Sequence, residues 1–248
     1  MNPAVAEFYR ANPRMVSSPF GGVDGVRADL LKEIWAQFEI NVASKCVLDV
    51  GCGRGFTGEV VRELGGEYTG ADFVVSRGGF RLAQADAAAL PFADGAFDIA
   101  LCLDAFEHFP DSLRAAREIR RVLKPGGVFF LSVPNYGNVA GAVKAVYERA
   151  GWYAWRTWAP FGRWQPQELE MPVTARFVRR TFGAAGFSRL QSMGHGAEVG
   201  LGVFPWIDHP RMPETVRFRL QRAFARIGPA IAAAAPTLSL HNFWRMDA

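Results

Sequence analysis

The chain has 248 residues, half of them hydrophobic, which is enough for one sizeable core. No apolar run reaches membrane-spanning length, no signal-peptide pattern follows Met1, and His and Cys do not cluster at metal-ligand spacing. A membrane-spanning chain, a secreted chain and a metal centre are therefore not predicted. The net charge is only +4, but residues 1–140 hold 14 basic and 17 acidic residues, whereas residues 141–248 hold 14 and 7. We expect buried thiols in a reducing, cytoplasmic compartment for the three cysteines Cys46, Cys52 and Cys102.

The first 135 residues alternate between predicted helices and strands. Prolines confine any helix before residue 20 to 5–10, and apolar spacing then predicts a helix over 24–39. Strands are predicted at 46–50, 68–72, 80–85, 97–103 and 128–133, helices at 57–64 and 112–123, and a turn at 124–127. Strands that alternate with helices predict an α/β fold with a parallel sheet.

The remaining residues are less regular. We predict helices over 140–150, 174–185 and 215–227, and strands over 187–193 and 238–246. Between them lie an aromatic run at 151–165, a segment rich in Gly and Pro at 194–213, and a short Ala-rich segment at 229–236.

Carboxylates follow four of the first five predicted strands, namely Asp49, Asp72, Asp86 and Asp104. Ligands of such sheets bind outside the carboxyl ends of the strands, so these acids mark the expected site. The first strand also runs through Gly51, Gly53 and Gly55 into a helix N-terminus, which makes a cradle for a polar ligand. Two patterns fit this turn. Residues 53–58 match the dinucleotide pattern GxGxxG, and residues 49–55 match a second pattern, DxGxGxG, in which an acid is followed by three glycines at every second position. The glycine spacing alone does not decide between them.

Four blocks around this turn carry a resemblance. The blocks 47–55, 85–98, 104–109 and 121–127, in this order and spacing, resemble the class I S-adenosylmethionine-dependent methyltransferases. They are most similar to the small-molecule branch, which includes ubiquinone, menaquinone and natural-product O-methyltransferases. The resemblance implies a Rossmann-like, doubly wound, mostly parallel seven-stranded sheet with an antiparallel last strand and a helical lid. It also selects the register from Asp49 to Gly55.

The resemblance further implies one methyltransferase domain over residues 1–248. Its parts are an N-terminal arm and lid helix (1–40), a cofactor-binding core (45–135), an aromatic lid insertion (136–173) and the C-terminal part of the sheet (174–248), with a cap insertion at 194–236. One departure is expected: only residues 73–79 separate Asp72 from the third strand, too few for the helix that the family has there.

The implied cofactor is S-adenosylmethionine, with S-adenosylhomocysteine as its product. Backbone contacts from Asp49, Gly51, Cys52, Gly53 and Gly55 would hold its methionine part, with Asp49 near the ammonium group. A further set would hold the rest: Asp72 the ribose hydroxyls, Asp86 and Ala87 the adenine, Phe73 the adenine face, and Leu103 and Asp104 the methionine side.

An oxygen acceptor benefits from a base, and His108 is the leading candidate because an imidazole titrates near neutrality. Glu107 is the alternative. The aromatic run predicts a pocket wall for an apolar or aromatic acceptor. The candidates for acceptor binding are Tyr9, Asn135, Trp152, Trp155, Trp158 and His195.

Other interpretations stay open at this stage. They are N- or C-methylation of a small molecule, lipid or quinone, methylation of RNA or protein, a dinucleotide-dependent dehydrogenase, and a non-catalytic cofactor-binding protein. A small-molecule acceptor is the expected partner and nucleic acid is not. The basic helix near residues 217–226 permits contact with a membrane surface, but packing as a cap is favoured.

Overall fold

The computed structural model of the protein describes residues 7, 25–75, 79–151, 170–207, 209 and 211–248. Contacts divide the chain into two compact units. The first unit contains residues 1–132, 180–191 and 244–248, and the second contains residues 133–179 and 192–243.

Seven strands form one mixed sheet in the order β3-β2-β1-β4-β5-β7-β6. Their bounds are β1 Cys46–Val50, β2 Glu67–Asp72, β3 Arg81–Gln84, β4 Phe97–Leu103, β5 Leu123–Pro134, β6 Ser188–Gly194 and β7 His241–Asp247. Six strands are parallel and β7 is antiparallel, which confirms the predicted fold class. In the register Asp49 lies between Gly70 of β2 and Leu101 of β4, so the carboxyl ends of β1, β2 and β4 meet at one edge.

The helices are α1 Gly25–Gln37, α2 Thr57–Glu63, α3 Ser112–Val122, α4 Val139–Ala150, α5 Ala175–Ala184, α6 Val199–Val203 and α7 Glu214–Ala234. Polar side chains begin three of them: Asp111 accepts from the N–H of Arg114, Asn138 from that of Gly141, and Thr174 from that of Phe177. Within the described ranges, no helix is both long enough and apolar enough to cross a membrane.

The core of the first unit is organised on β5. Phe129 and Phe130 are both fully buried and, as neighbours in a strand, point to opposite faces of the sheet. Trp35 of α1 meets Phe130 edge-on at a centroid distance of 6.2 Å, whereas Phe182 of α5 lies 5.2 Å from Phe129. The sheet is thus covered by a helix on each face, as its nearly continuous apolar strands predict.

In the second unit, a buried ion pair joins α4 to the described residues that precede α5. The ammonium group of Lys144 pairs with the carboxylate of Glu170, and the hydroxyl of Tyr136 donates to Glu170 at 2.8 Å. Lys144 also lies 4.8 Å from the centre of the Tyr136 ring. Lys144 and Tyr136 thus both bond to Oε1 of Glu170, while its Oε2 is buried without a hydrogen-bond partner among the described residues.

Two predicted boundaries are wrong. Residues 124–127 belong to β5 instead of forming a separate turn. The register of β5 with β4 is irregular at this point, and Gly126 there takes a positive φ of 75°. Helix α7 also continues through Pro229, which the sequence placed outside it. Proline has no N–H, so one carbonyl of the helix lacks its backbone hydrogen-bond donor. The neighbouring Gly228 packs closely against the carbonyl of Gly196.

The connection after β2 matches its prediction. The described residues 73–75 and 79–80 form bends and contain no helix. The predicted short helix at 5–10 lies outside the described residues, apart from residue 7. The three cysteines are free thiols, but only Cys102 is fully buried; Cys46 and Cys52 are half-buried, because each lies at or just beyond an end of β1.

Candidate functional site

The turn between β1 and α2 needs glycine at three positions. Gly51, Gly53 and Gly55 have φ values of 77°, 53° and 77°, a region that disfavours any side chain. At Gly51 a Cβ would lie only 2.4 Å from the Cβ of Ala105, in the loop after β4. The turn therefore packs directly against that loop, and both lie at the carboxyl edge of the sheet.

Asp72 ties the end of β2 to this turn. Its Oδ2 accepts from the N–H of Gly53 at 2.8 Å, and its Oδ1 accepts from the N–H of Val74 at 3.0 Å. Burial raises the pKa of Asp72, and the backbone N–H groups of Val74, Gly53 and Phe73 oppose that shift. Each carboxylate oxygen has a second lone pair, so Asp72 keeps acceptor capacity for a ligand hydroxyl.

Asp49 is a buried acid with one unused oxygen. Its side chain is 2% exposed, and its Oδ2 accepts from the hydroxyl of Tyr68 at 2.9 Å. Among the described residues no hydrogen-bond donor reaches Oδ1. Burial raises the pKa of Asp49 to about 7, the side chains of Tyr68 and Thr57 lower it, and the charge of Asp72 raises it. A cationic or N–H-bearing ligand would relieve this cost.

Cys52 lies beside the same group. Its Sγ is 2.6 Å from where a Cβ of Gly70 would stand, so the thiol fills the space that this glycine leaves. Burial is the main cause of the raised pKa of Cys52, and the charges of Asp49 and Asp72 raise it further. The thiol therefore stays protonated and acts as a neutral filler.

Asp86 and Ala87 follow β3 as predicted. The Oδ1 of Asp86 accepts from the N–H of Ala88 at 2.9 Å, and its carbonyl accepts from the N–H of Ala89 at 2.9 Å. Ala87 is buried, and the backbone carbonyl of Phe73 accepts from the side chain of Gln84 at 3.0 Å. These bonds hold the adenine-side candidates in short turns at the same sheet edge.

The end of β4 is a strained acidic corner. Asp104 has a φ of 43°, which is uncommon for a residue with a side chain. Its N–H donates to the carbonyl of Ser132 at 2.9 Å, and the hydroxyl of Ser132 donates to its Oδ1. Leu103, just before it, is buried. Two bonds from β5 thus fix where the Asp104 carboxylate lies.

Glu107 and His108 share a short 3-10 helix, Phe106–His108, directly after this corner. Glu107 is 2% exposed, and its Oε1 lies 3.7 Å from the Nε2 of His108. The two predicted proton-handling groups are therefore adjacent, and they sit in the loop that packs against Gly51.

The acceptor-binding candidates that the structure describes lie in the second unit. Asn135 is buried, its amide donates to the carbonyls of Thr237 (2.5 Å) and Ser239 (3.1 Å), and its Oδ1 accepts from the N–H of Gly137 (2.8 Å). His195 is half-buried, and its carbonyl accepts from the hydroxyl of Ser239 at 3.1 Å. The candidates Tyr9, Trp152, Trp155 and Trp158 lie outside the described residues.

Sequence reasoning missed Tyr68 and Ser132, and it undervalued Gly58. Tyr68 faces Asp49 only because β2 pairs in parallel with β1, and that register is not readable from the sequence. Gly58, which lies outside the register selected in the sequence, is a packing requirement: a Cβ there would lie 2.7 Å from the Phe80 ring and 2.8 Å from the Tyr68 ring. The aromatic residues at 68 and 80 were the available signal.

The residues present fit the cofactor that the sequence implies. The unpartnered Oδ1 of Asp49 suits an ammonium group, and the spare lone pairs of Asp72 suit vicinal hydroxyls. No cluster of His, Cys, Asp and Glu suited to a metal ion occurs in the part of the chain that the structure describes.

Comparison with known proteins agrees with this geometry. Residues 48–131 match the sequence profile of a family described as "Methyltransferase domain". An uncharacterized methyltransferase of Mycobacterium sp. (strain JLS) is 34% identical over 122 residues, which are 46% of this chain and 48% of that protein. A ubiquinone biosynthesis O-methyltransferase of Pseudomonas paraeruginosa is 35% identical over 118 residues, 42% of this chain and 51% of that protein. The chain spans about half the length of the curated relatives it matches.

Solved structures share the fold at low identity. A SAM-dependent methyltransferase from Archaeoglobus fulgidus has a TM-score of 0.58 at 16% identity, covering 89% of this chain and 94% of that one. A Haemonchus contortus phospholethanolamine N-methyltransferase 2, in complex with phosphomonomethylethanolamine and S-adenosylhomocysteine, has a TM-score of 0.59 at 14% identity. That match covers all of this chain and 60% of the other.

The fold and this sheet-edge site define the class of Rossmann-like nucleotide-cofactor proteins. Within that class, residues 48–131 match a methyltransferase domain, in agreement with the resemblance seen in the sequence.

Proposed function

We propose that the protein transfers a methyl group from S-adenosylmethionine to a small apolar or aromatic acceptor, at a hydroxyl oxygen. The observation that carries the proposal is the pairing of a glycine turn with two strand-end acids that keep acceptor capacity, Asp49 and Asp72. The similarity to ubiquinone O-methyltransferases over about 118 residues supports oxygen as the acceptor atom. The absence of a spanning helix among the described residues and the free thiols are compatible with a cytoplasmic enzyme.

The residues of the turn and the strand ends would hold the cofactor. Asp49 would meet its ammonium group, Asp72 its ribose hydroxyls, and Asp86 with Ala87 its adenine. When bound, the sulfonium supplies an electrophilic methyl carbon for in-line displacement. The chain's task is then to exclude water and to hold the acceptor in line with that carbon.

His108 would take the proton from the acceptor hydroxyl. It follows β4 in the loop that packs on Gly51, which supports a role beside the methionine side of the proposed site. The carboxylate of Glu107, 3.7 Å from Nε2, would stabilise the imidazolium that forms. His195 remains a proposed acceptor-binding residue, whereas Asn135, whose amide and oxygen already bond to backbone groups, would contribute only through the second lone pair of its Oδ1.

Calorimetry tests the cofactor. We expect S-adenosylmethionine and S-adenosylhomocysteine to bind, and NAD not to bind. Asp72→Asn should weaken both cofactor forms about tenfold or more while the fold is kept, since a carboxylate with two acceptor oxygens is replaced by a group with one. Tight NAD binding without a response to the sulfonium compound would overturn the proposal.

Single-turnover kinetics test the base. A panel of phenols and matched amines, with S-adenosylmethionine carrying an isotopically labelled methyl group, identifies the acceptor atom. For the phenol that turns over, His108→Ala should lower turnover by about a hundredfold or more and leave cofactor affinity unchanged. His195→Ala removes a proposed acceptor-binding group, and it should mainly raise the KM for the phenol while single-turnover chemistry at saturating phenol is kept. Full activity of the His108 variant together with loss in the His195 variant would move the base to His195.

A further inference from the structure

Helix α7 presents two different faces. Leu220 and Phe224 are half-buried and Gly228 is buried, at the three- and four-residue spacing of one helical stripe. Phe224 packs on Gly200, whose Cβ would lie 2.9 Å from the ring, and Gly228 packs on the carbonyl of Gly196. This stripe anchors α7 within the second unit.

The opposite face of α7 carries unpaired positive charge. Arg219, Arg222 and Arg226 follow one another at intervals of three and four residues, and all three are exposed. No ion pair to any of them occurs among the described residues. Glu214 begins the helix, and no further carboxylate appears in the sequence until Asp247. The positive charge of this face is therefore not neutralised locally.

Apolar side chains stand in water beside these arginines. Phe218 is 65% exposed and lies four residues before Arg222, on the same side of the helix. Ile227 is 51% exposed and Val216 is 42% exposed, and both flank the arginine stripe. An exposed phenylalanine next to a cationic stripe is typical of a helix that lies in a membrane interface.

We propose that the outward face of α7 docks the protein on an anionic lipid bilayer. The helix would lie parallel to the surface, with the arginines at the headgroups and the exposed apolar side chains on either flank of the stripe in contact with the interfacial region. The proposal rests on the residues of α7 alone and does not depend on the reaction proposed above.

The chemistry of the face favours a bilayer over two other occupants. A nucleic acid would satisfy the arginines but has no apolar layer for Phe218, Ile227 and Val216. A second copy of this helix would bring three arginines against three arginines, which repel each other. An anionic bilayer satisfies both the charges and the apolar groups.

Vesicle sedimentation tests the proposal with the full chain. The probes are large vesicles of phosphatidylcholine alone and vesicles with about one third phosphatidylglycerol. We expect binding to the anionic vesicles only, falling as salt rises from low to physiological strength. The variant Arg219→Glu/Arg222→Glu/Arg226→Glu should bind about a hundredfold more weakly, because each arginine near the surface contributes a factor of about five.

A charge-matched variant is the control. Arg114→Glu/Arg117→Glu/Arg180→Glu makes the same change in net charge at three exposed arginines of α3 and α5. It should keep most of the vesicle binding. Circular dichroism establishes that both triple variants are folded, and Phe218→Ser should weaken binding severalfold without a change in charge.

Three results would overturn the proposal. One is no binding to anionic vesicles at low salt. A second is an equal loss in both triple variants, which would mean a delocalised charge effect. The third is binding to heparin that is tighter than to vesicles and indifferent to Phe218→Ser, which would indicate a polyanion partner instead of a bilayer.

Discussion

The ends of β1 and β5 carry polar side chains that are used in different ways. At the end of β1, one carboxylate oxygen of Asp49 accepts a hydrogen bond from Tyr68, and no described residue donates to the other oxygen. Beyond β5, Asn135 spends both amide hydrogens and its oxygen on backbone groups of its own unit. A polar residue at a strand end is thus a ligand candidate only where hydrogen-bonding capacity remains, and position alone does not decide its role.

Removing the charge of Asp49 should have the largest effect. Burial raises the pKa of this acid from 3.8 to about 7, so the folded state favours the protonated form. Its contribution to stability is fully present below pH 4 and is lost as the pH rises towards 7. Asp49→Asn keeps the shape of the side chain without its charge. We expect the free energy of unfolding of this variant to exceed that of the wild type by about 4 kcal/mol above pH 7 and by little at pH 4.

Urea unfolding across this pH range, without ligand, measures that difference. Glu63→Gln removes an exposed carboxylate and serves as the control. For this variant, the plot of unfolding free energy against pH should stay nearly parallel to that of the wild type. If Asp49→Asn and the wild type differ by the same amount at pH 4 and pH 8, the buried charge is not the cause.

Truncating Asn135 should have the opposite sign. Asn135→Ala leaves the carbonyls of Thr237 and Ser239 and the N–H of Gly137 without their partner in a buried place. We expect a loss of about 3 kcal/mol in the free energy of unfolding, independent of pH. The exposed Asn41, whose Oδ1 accepts from the N–H of Ala43, gives the control variant Asn41→Ala, with a loss below about 1 kcal/mol.

Changing Tyr68 to phenylalanine should have the smallest effect. The variant removes the donor to Oδ2 of Asp49, and we expect a loss of about 1 kcal/mol at pH 8. Because the Tyr68 bond lowers the pKa of Asp49, the decline of stability with pH should extend to higher pH in the variant. In the double variant with Asp49→Asn this extension should vanish. Its persistence there would show that another group titrates.

The sequence predicted most of the sheet because its strands are self-contained apolar runs. Strands β1 and β4 begin and end where expected, and the short connection after Asp72 has no helix in its described residues. The errors fall where packing overrides local preference. Pro229 normally ends a helix, yet α7 continues because Gly228 and Pro229 fit closely against Gly196. A glycine pair after a proline is typical of a turn, yet Gly126 lies within β5, where the register with β4 is irregular.

The candidate site was predictable as far as it follows from strand ends. The acids Asp49, Asp72, Asp86 and Asp104 come directly after apolar runs, so the topology brings them to one edge. The groups that control those acids were not predictable, because Tyr68 and Ser132 reach them across strand pairs whose register only the fold sets. For the proposed acceptor-binding residues, such as Trp152, no local pattern in the sequence specifies the orientation of the side chain.

The place of β7 between β5 and β6 sets the order in which the sheet is completed. β6 is synthesised before β7, but its only route into the sheet is through β7. During translation the edge of β6 that pairs with β7 therefore stays unpaired until β7 has been synthesised, which happens only after α6 and α7. Mutations in β7 such as those at Phe243 or Trp244, both fully buried, should thus release two strands at once and expose an edge open to aggregation.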